Sequence, residues 1–125
     1  MAVAVERRPG LIVARFSGEV STADLAEAAN QFDQIDQVVP GLPRLADTTE
    51  MTGVSLDFAA TGRFAHERRS RSRACDVRMA ILVSSDLAFG IARIYQSLLA
   101  HPQIKIEVFR GREEALAWLG VGPTS

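Results

Sequence analysis

Cysteine is almost absent from this 125-residue chain. Cys75 stands alone, which excludes an intramolecular disulfide and a thiolate metal cage. With no resolving partner, it reads as a small apolar residue at a strand entry rather than a redox centre. Histidine is nearly as scarce. His66 and His101 have no metal-ligand spacing between them and read as structural, so no metal site is expected. Aromatic residues make up only 6% of the chain and do not interleave with its arginines, which argues against nucleic acid. No apolar run approaches the ~18 residues of a membrane span. The amino-terminal stretch "MAVAVERRPGLIV" carries its charges inside the apolar run and lacks a signal-peptide core, so a cytoplasmic protein is expected. Catalytic signatures are missing too: no GxSxG elbow, no Walker A loop, no HExxH and no GxGxxG after a strand. Neither a catalytic residue nor a cofactor is expected.

The remaining composition is that of a folded domain. Hydrophobic residues are 47% and charged residues 23%, with net charge −1, and the length suits one core. The charge is unevenly spread. Residues 1–57 hold nine acids and four arginines, whereas residues 58–125 hold ten bases and six acids.

Residues 2–6 and 11–18 are strand-like runs joined by "RRPG" and predict a hairpin. Residues 21–39 place Leu25, Ala28, Phe32, Ile35 and Val39 on one helical stripe, with Ser21 and Asp24 as a capping box and "PGLP" as the stop. "RLAD" (44–47) predicts a short strand. A second helix is expected from Ser55, with Leu56, Ala59, Ala60 and Phe64 on a shared face. "VRMAILVSS" (77–85) predicts a central strand, 86–100 a third helix, 104–109 a strand and 112–119 a closing helix. The order β-β-α-β-α-β-α-β-α implies one α/β domain whose mixed sheet opens with an antiparallel hairpin and continues with parallel strands.

Four phrases then carry a family likeness: the acid Asp47 ending the short strand, "RMAILVSS", "FGIARIYQSL" and "IEVFRGREEALAWL". Over nearly its whole length the chain resembles the SpoIIAA-like branch of the STAS domains. That resemblance implies a non-enzymatic module that signals by binding a protein partner. Some SpoIIAA-like domains are also similar in topology to CRAL-TRIO lipid-binding domains. In anti-sigma-factor antagonists of this group, a serine following an aspartate at the start of the second helix is phosphorylated. Counting from Asp47 puts Leu56 at that serine and Ser55 at the aspartate, so the switch is absent from its usual place. A one-residue slip would make Ser55 the acceptor. From the residues themselves, Ser55 reads as a helix cap.

Three candidate surfaces follow. Asp47, Thr48, Thr49, Glu50, Ser55, Ser84, Ser85 and Asp86 are expected at the carboxyl ends of adjacent parallel strands, where open α/β sheets place ligands or partners. Arg68, Arg69, Arg71 and Arg73 form a dense basic patch, read either as a solvated helix end or as an anion contact. The third helix is apolar around much of its circumference, with Phe89 and Tyr95 at the edge of either a homodimer interface or an apolar pocket. Two functions are therefore carried forward. One is a partner-binding signalling domain, working as a homodimer through the third helix or a sheet edge. The other is a carrier or sensor of a small apolar or lipid-like ligand. The first displays its apolar surface; the second encloses it between the second and third helices.

Overall fold

The computed structural model describes residues 2–70 and 75–121. In chain order the elements are β1 (Val3–Arg8), β2 (Leu11–Ser21), α1 (Thr22–Val38), β3 (Arg44–Ser55), α2 (Phe58–Ser70), β4 (Val77–Leu82), α3 (Asp86–Leu98), β5 (Ile104–Phe109) and α4 (Arg112–Leu119). The five strands lie side by side in sequence order. β1 and β2 are antiparallel, turning at Pro9-Gly10 with Gly10 at φ 72°, and every later pair is parallel. This is the mixed sheet that the alternation of strands and helices implied. No helix among the described residues is long and apolar enough to cross a membrane.

Parallel strands added in one direction by crossovers of one hand send the crossover helices to one face. Accordingly α1, α2 and α3 share a face with Ile12, Ala14, Ala46, Ile81 and Ile106. α4 follows the last strand and crosses to the other face, where Ala115, Leu116 and Leu119 close over Leu11, Val13, Leu45, Ala80 and Leu82. The period of two along β2 explains the division, since Leu11 and Val13 point one way and Ile12 and Ala14 the other. Trp118 completes the second layer against Phe109, with ring centroids 5.7 Å apart, and Arg78 lies over its ring.

Local chemistry sets the ends of α1 and α3. Ser21 accepts from the Asp24 amide while the Asp24 carboxylate takes the Ser21 amide at 2.8 Å, so the capping box forms as its spacing predicts. These contacts, led by the Ser21 amide, hold the Asp24 carboxyl below its ordinary range. Ser85 caps α3 by accepting from the Ala88 amide at 3.1 Å.

The segment between Asp47 and Phe58 departs from the expectation. β3 does not stop at Asp47. Its ladder with β4 ends there, at Asp47↔Leu82, but the strand continues to Ser55 along β2. Two register shifts, where β3 carries an extra residue opposite Arg15–Ser17 and opposite Gly18–Glu19 of β2, keep this extension paired, with Gly18 at φ 66°. Ser55 therefore ends a strand and caps nothing. Asp57 is the cap, its Oδ1 accepting from the Ala60 amide at 2.9 Å. Within α2 the buried residues are Ala65 and Arg68, while Ala59 is exposed and Ala60 and Phe64 are half-buried. Cys75 is exposed rather than packed at the β4 entry. Asp57→Ala is expected to cost about 1 kcal/mol and Ser55→Ala close to nothing, the reverse of the sequence reading. Urea midpoints of the two variants decide between the assignments.

Candidate functional site: an apolar cavity beneath the second helix

Alanine sets the shape of the helical face. Ala46 in β3, Ala28 in α1, and Ala88 and Ala92 in α3 all turn toward the same space. Methyl groups on facing layers cannot span the gap between them, so a hollow remains where larger side chains would close the core. The result is a cavity of about 460 Å³, within the usual size range of small-molecule sites. Its floor is the sheet at Ala46, Ile81 and Ile106; Leu25 and Phe32 form one wall, and Ile91 and Tyr95 the opposite one. Met51 and Val54, on the extension of β3, line one end. The roof is α2, through Phe58, Thr61 and Arg68.

α2 is fastened to α1 by polar contacts near both its ends. Thr22 and Thr61 share a hydroxyl–hydroxyl bond of 3.0 Å, and the Asp57 amide donates to Thr22. Seven residues beyond Thr61, Arg68 pairs with Asp33 at 2.7 Å. Phe58, Ile94 and Leu98 both line the cavity and reach solvent, Phe58 at 91% exposure, so they mark its opening between α2 and α3.

Asp47, Thr48, Thr49, Glu50, Ser84, Ser85 and Asp86 lie near the point where the β3–β4 ladder stops, and most of these groups are engaged. The Thr48 hydroxyl donates to the Leu82 carbonyl at 2.7 Å and the Ser84 hydroxyl to the Thr49 carbonyl at 3.2 Å, stitching β3 to β4 where their ladder ends. Asp47 turns to the α4 side, where it accepts from the Thr49 amide and hydroxyl and pairs with Arg112 at 2.6 Å. Burial alone would push its carboxyl up; the Thr49 bonds and Arg112 outweigh that and hold it below the usual range. Asp86 pairs with Arg110 at the surface, and Glu50 is exposed. Ser55 lies at the far end of β3, away from Asp47.

The other two surfaces divide. Tyr95 is half-buried in the cavity wall, whereas Phe89 is half-buried beneath the guanidinium of Arg110 at 4.8 Å. The large apolar residues that α3 leaves exposed are Leu87, Ile94 and Leu98. Of the arginine patch, Arg69 is exposed and Arg68 is buried, while Arg71 and Arg73 lie outside the described residues. His66 is exposed on α2, and His101 accepts from the Gln103 amide through Nδ1 at 3.0 Å.

Sequence reasoning missed Arg44, which is 2% exposed beneath α1. Asp33 and Asp36, one helical turn apart beside Phe32, were its available signal, because acids flanking a buried aromatic call for buried cations.

With this geometry in view, one solved structure is informative. An uncharacterised protein of the DUF3478 family from Shewanella loihica, described as having a SpoIIAA-like fold, superimposes with a TM-score of 0.61 over 94% of this chain and 92% of its own, at 19% identity. The fold is SpoIIAA-like. No family model matches the chain, and no curated protein is significantly similar to it. Within the SpoIIAA-like architecture, the cavity lies on the face built from the three crossover helices, and the strand-end rim lies where the β3–β4 ladder stops.

Proposed function

We propose that the protein is a binding module for a small apolar or lipid-like molecule, acting as its carrier or sensor. The observation that supports this reading is the cavity of about 460 Å³, lined mostly by aliphatic and aromatic side chains under α2 and α3 and open between them. A partner-binding module would turn the wide apolar face of α3 outward. Here much of that face turns inward, since Ala88, Ile91, Ala92, Tyr95 and Leu99 line the space above the sheet. An apolar guest removed from water gains roughly 25 cal/mol per Å² of buried surface, and a largely preformed site loses little of that gain to ordering.

Phenylnaphthylamine, a neutral dye that fluoresces in apolar surroundings, tests the reading directly. Titration is expected to give saturable enhancement at one dye per chain, with Kd on the order of 1 μM. At about 100-fold excess over Kd, binding of this kind raises stability by about 2.7 kcal/mol. A dye that gains no fluorescence and leaves the thermal midpoint unmoved defeats the proposal.

A further inference from the structure

Two buried guanidinium groups line the cavity, and they differ in what they hold. Arg44 uses all three of its nitrogens: Nη1 and Nη2 donate to the two oxygens of Asp36 at 3.1 and 2.6 Å, while Nε and Nη2 donate to the Leu42 carbonyl at 3.3 and 3.0 Å. Arg68, only 7% exposed, donates from Nη1 to Asp33 Oδ2 at 2.7 Å. Among the described residues that is the one acceptor it meets; Nε and Nη2 have none. A buried donor left unmatched is costly, and more so on a charged group, so folded proteins rarely keep one without use.

The free donors have a defined shape. A guanidinium presents planar edges that each match a carboxylate through two parallel hydrogen bonds. Asp33 occupies the Nη1 end, leaving the Nε–Nη2 edge of a side chain that lines the cavity. We propose that this edge receives the carboxylate of an amphipathic ligand, a fatty-acid-like molecule whose apolar chain fills the space over Ala46 and Ile81. The inference rests on the binding reading above and names its ligand class. A monoanion fits better than a phosphate monoester. Asp33 already places one negative charge on this cation, and a dianion would crowd a third beside it. Arg63 and Arg69, exposed on the same helix, add positive potential toward an approaching anion.

The test compares decanoate, decanol and decyl phosphate as displacers of phenylnaphthylamine from the full chain at mildly alkaline pH. Decanoate is expected to compete about tenfold more tightly than decanol, a gap of about 1.4 kcal/mol, and more tightly than decyl phosphate. Arg68→Gln is expected to erase the decanoate–decanol difference, read as a ratio within the variant because losing the Asp33 tie that fastens α2 weakens dye and decanol alike. Arg68→Lys, which keeps the charge but loses the fork, should recover only part of it. Asp33→Asn costs stability, since it takes the charged partner from a buried cation, but in the folded protein it is expected to tighten decanoate further by removing a competing negative charge; a purely structural Asp33–Arg68 pair would not produce that gain. Equal displacement by decanoate and decanol, or discrimination that survives Arg68→Gln, overturns the head-group assignment alone. Tighter displacement by decyl phosphate overturns the choice of carboxylate. A dye that fails to bind overturns both this inference and the cavity reading beneath it.

Discussion

Asp36→Asn is expected to destabilise the protein by about 3–5 kcal/mol, a large share of the total stability of a domain this size. The Asp36 side chain is 20% exposed, whereas that of its partner Arg44 is 2% exposed and held at 2.6 Å. Removing the carboxylate leaves a buried cation, which cannot deprotonate, without its countercharge. Removing the cation is less severe, because Asp36 can turn toward solvent. Arg44→Met also keeps a flexible apolar side chain over the Phe32 ring, where the guanidinium sits 5.1 Å from the centroid. Its expected cost is about half as large. Urea unfolding of the two variants measures this asymmetry. Equal losses below about 1 kcal/mol would place the pair among ordinary surface ion pairs.

Ala92→Leu and Ala115→Leu are expected to act with opposite sign. Both positions are buried alanines on helices facing the sheet, at 6% and 0% exposure. Ala115 sits in the closed layer beneath α4, so added methylenes force rearrangement and a loss of about 1–3 kcal/mol. Ala92 borders the cavity, where three added carbons find space. Burying them is worth up to about 2 kcal/mol at roughly 0.8 kcal/mol per methylene. The same substitution should weaken phenylnaphthylamine binding at least about tenfold, because the dye and the new side chain compete for one volume. Thermal midpoints together with dye titrations give both readings. A comparable loss of stability at the two positions would mean that the helical face is as tightly filled as the other.

Local signals carried well into the structure. The α1 cap depends on residues three apart, and "IKIEVF" and "REEALAWL" correspond to β5 and α4 at their stated bounds. What depends on distant residues did not carry. "TTEMTG" looks like a loop because it is polar and contains glycine; it is a strand because β2 supplies the pairing, with the extra residues bulged out of β3. That longer strand moves the start of α2 and hands the cap from Ser55 to Asp57. The cavity was equally invisible, since it arises where Ala28, Ala46, Ala88 and Ala92 converge from three elements. Arg68 read as one member of a surface patch because its helical neighbours are arginines. Only the approach of Asp33 from α1 sets it apart.

The sheet follows the order in which the chain leaves the ribosome. Each strand pairs with the one synthesised just before it, so no segment waits for a distant partner and loop closures stay short. Assembly can therefore proceed from the hairpin outward during translation. The two faces are covered at different times. α1, α2 and α3 are in hand before β5 emerges, but Leu11, Val13, Leu45, Ala80 and Leu82 stay bare until α4 arrives. A nascent chain stalled before Arg112 carries that apolar strip into solvent, where aggregation or a chaperone can reach it. The helix that follows the edge strand is the one that covers this face.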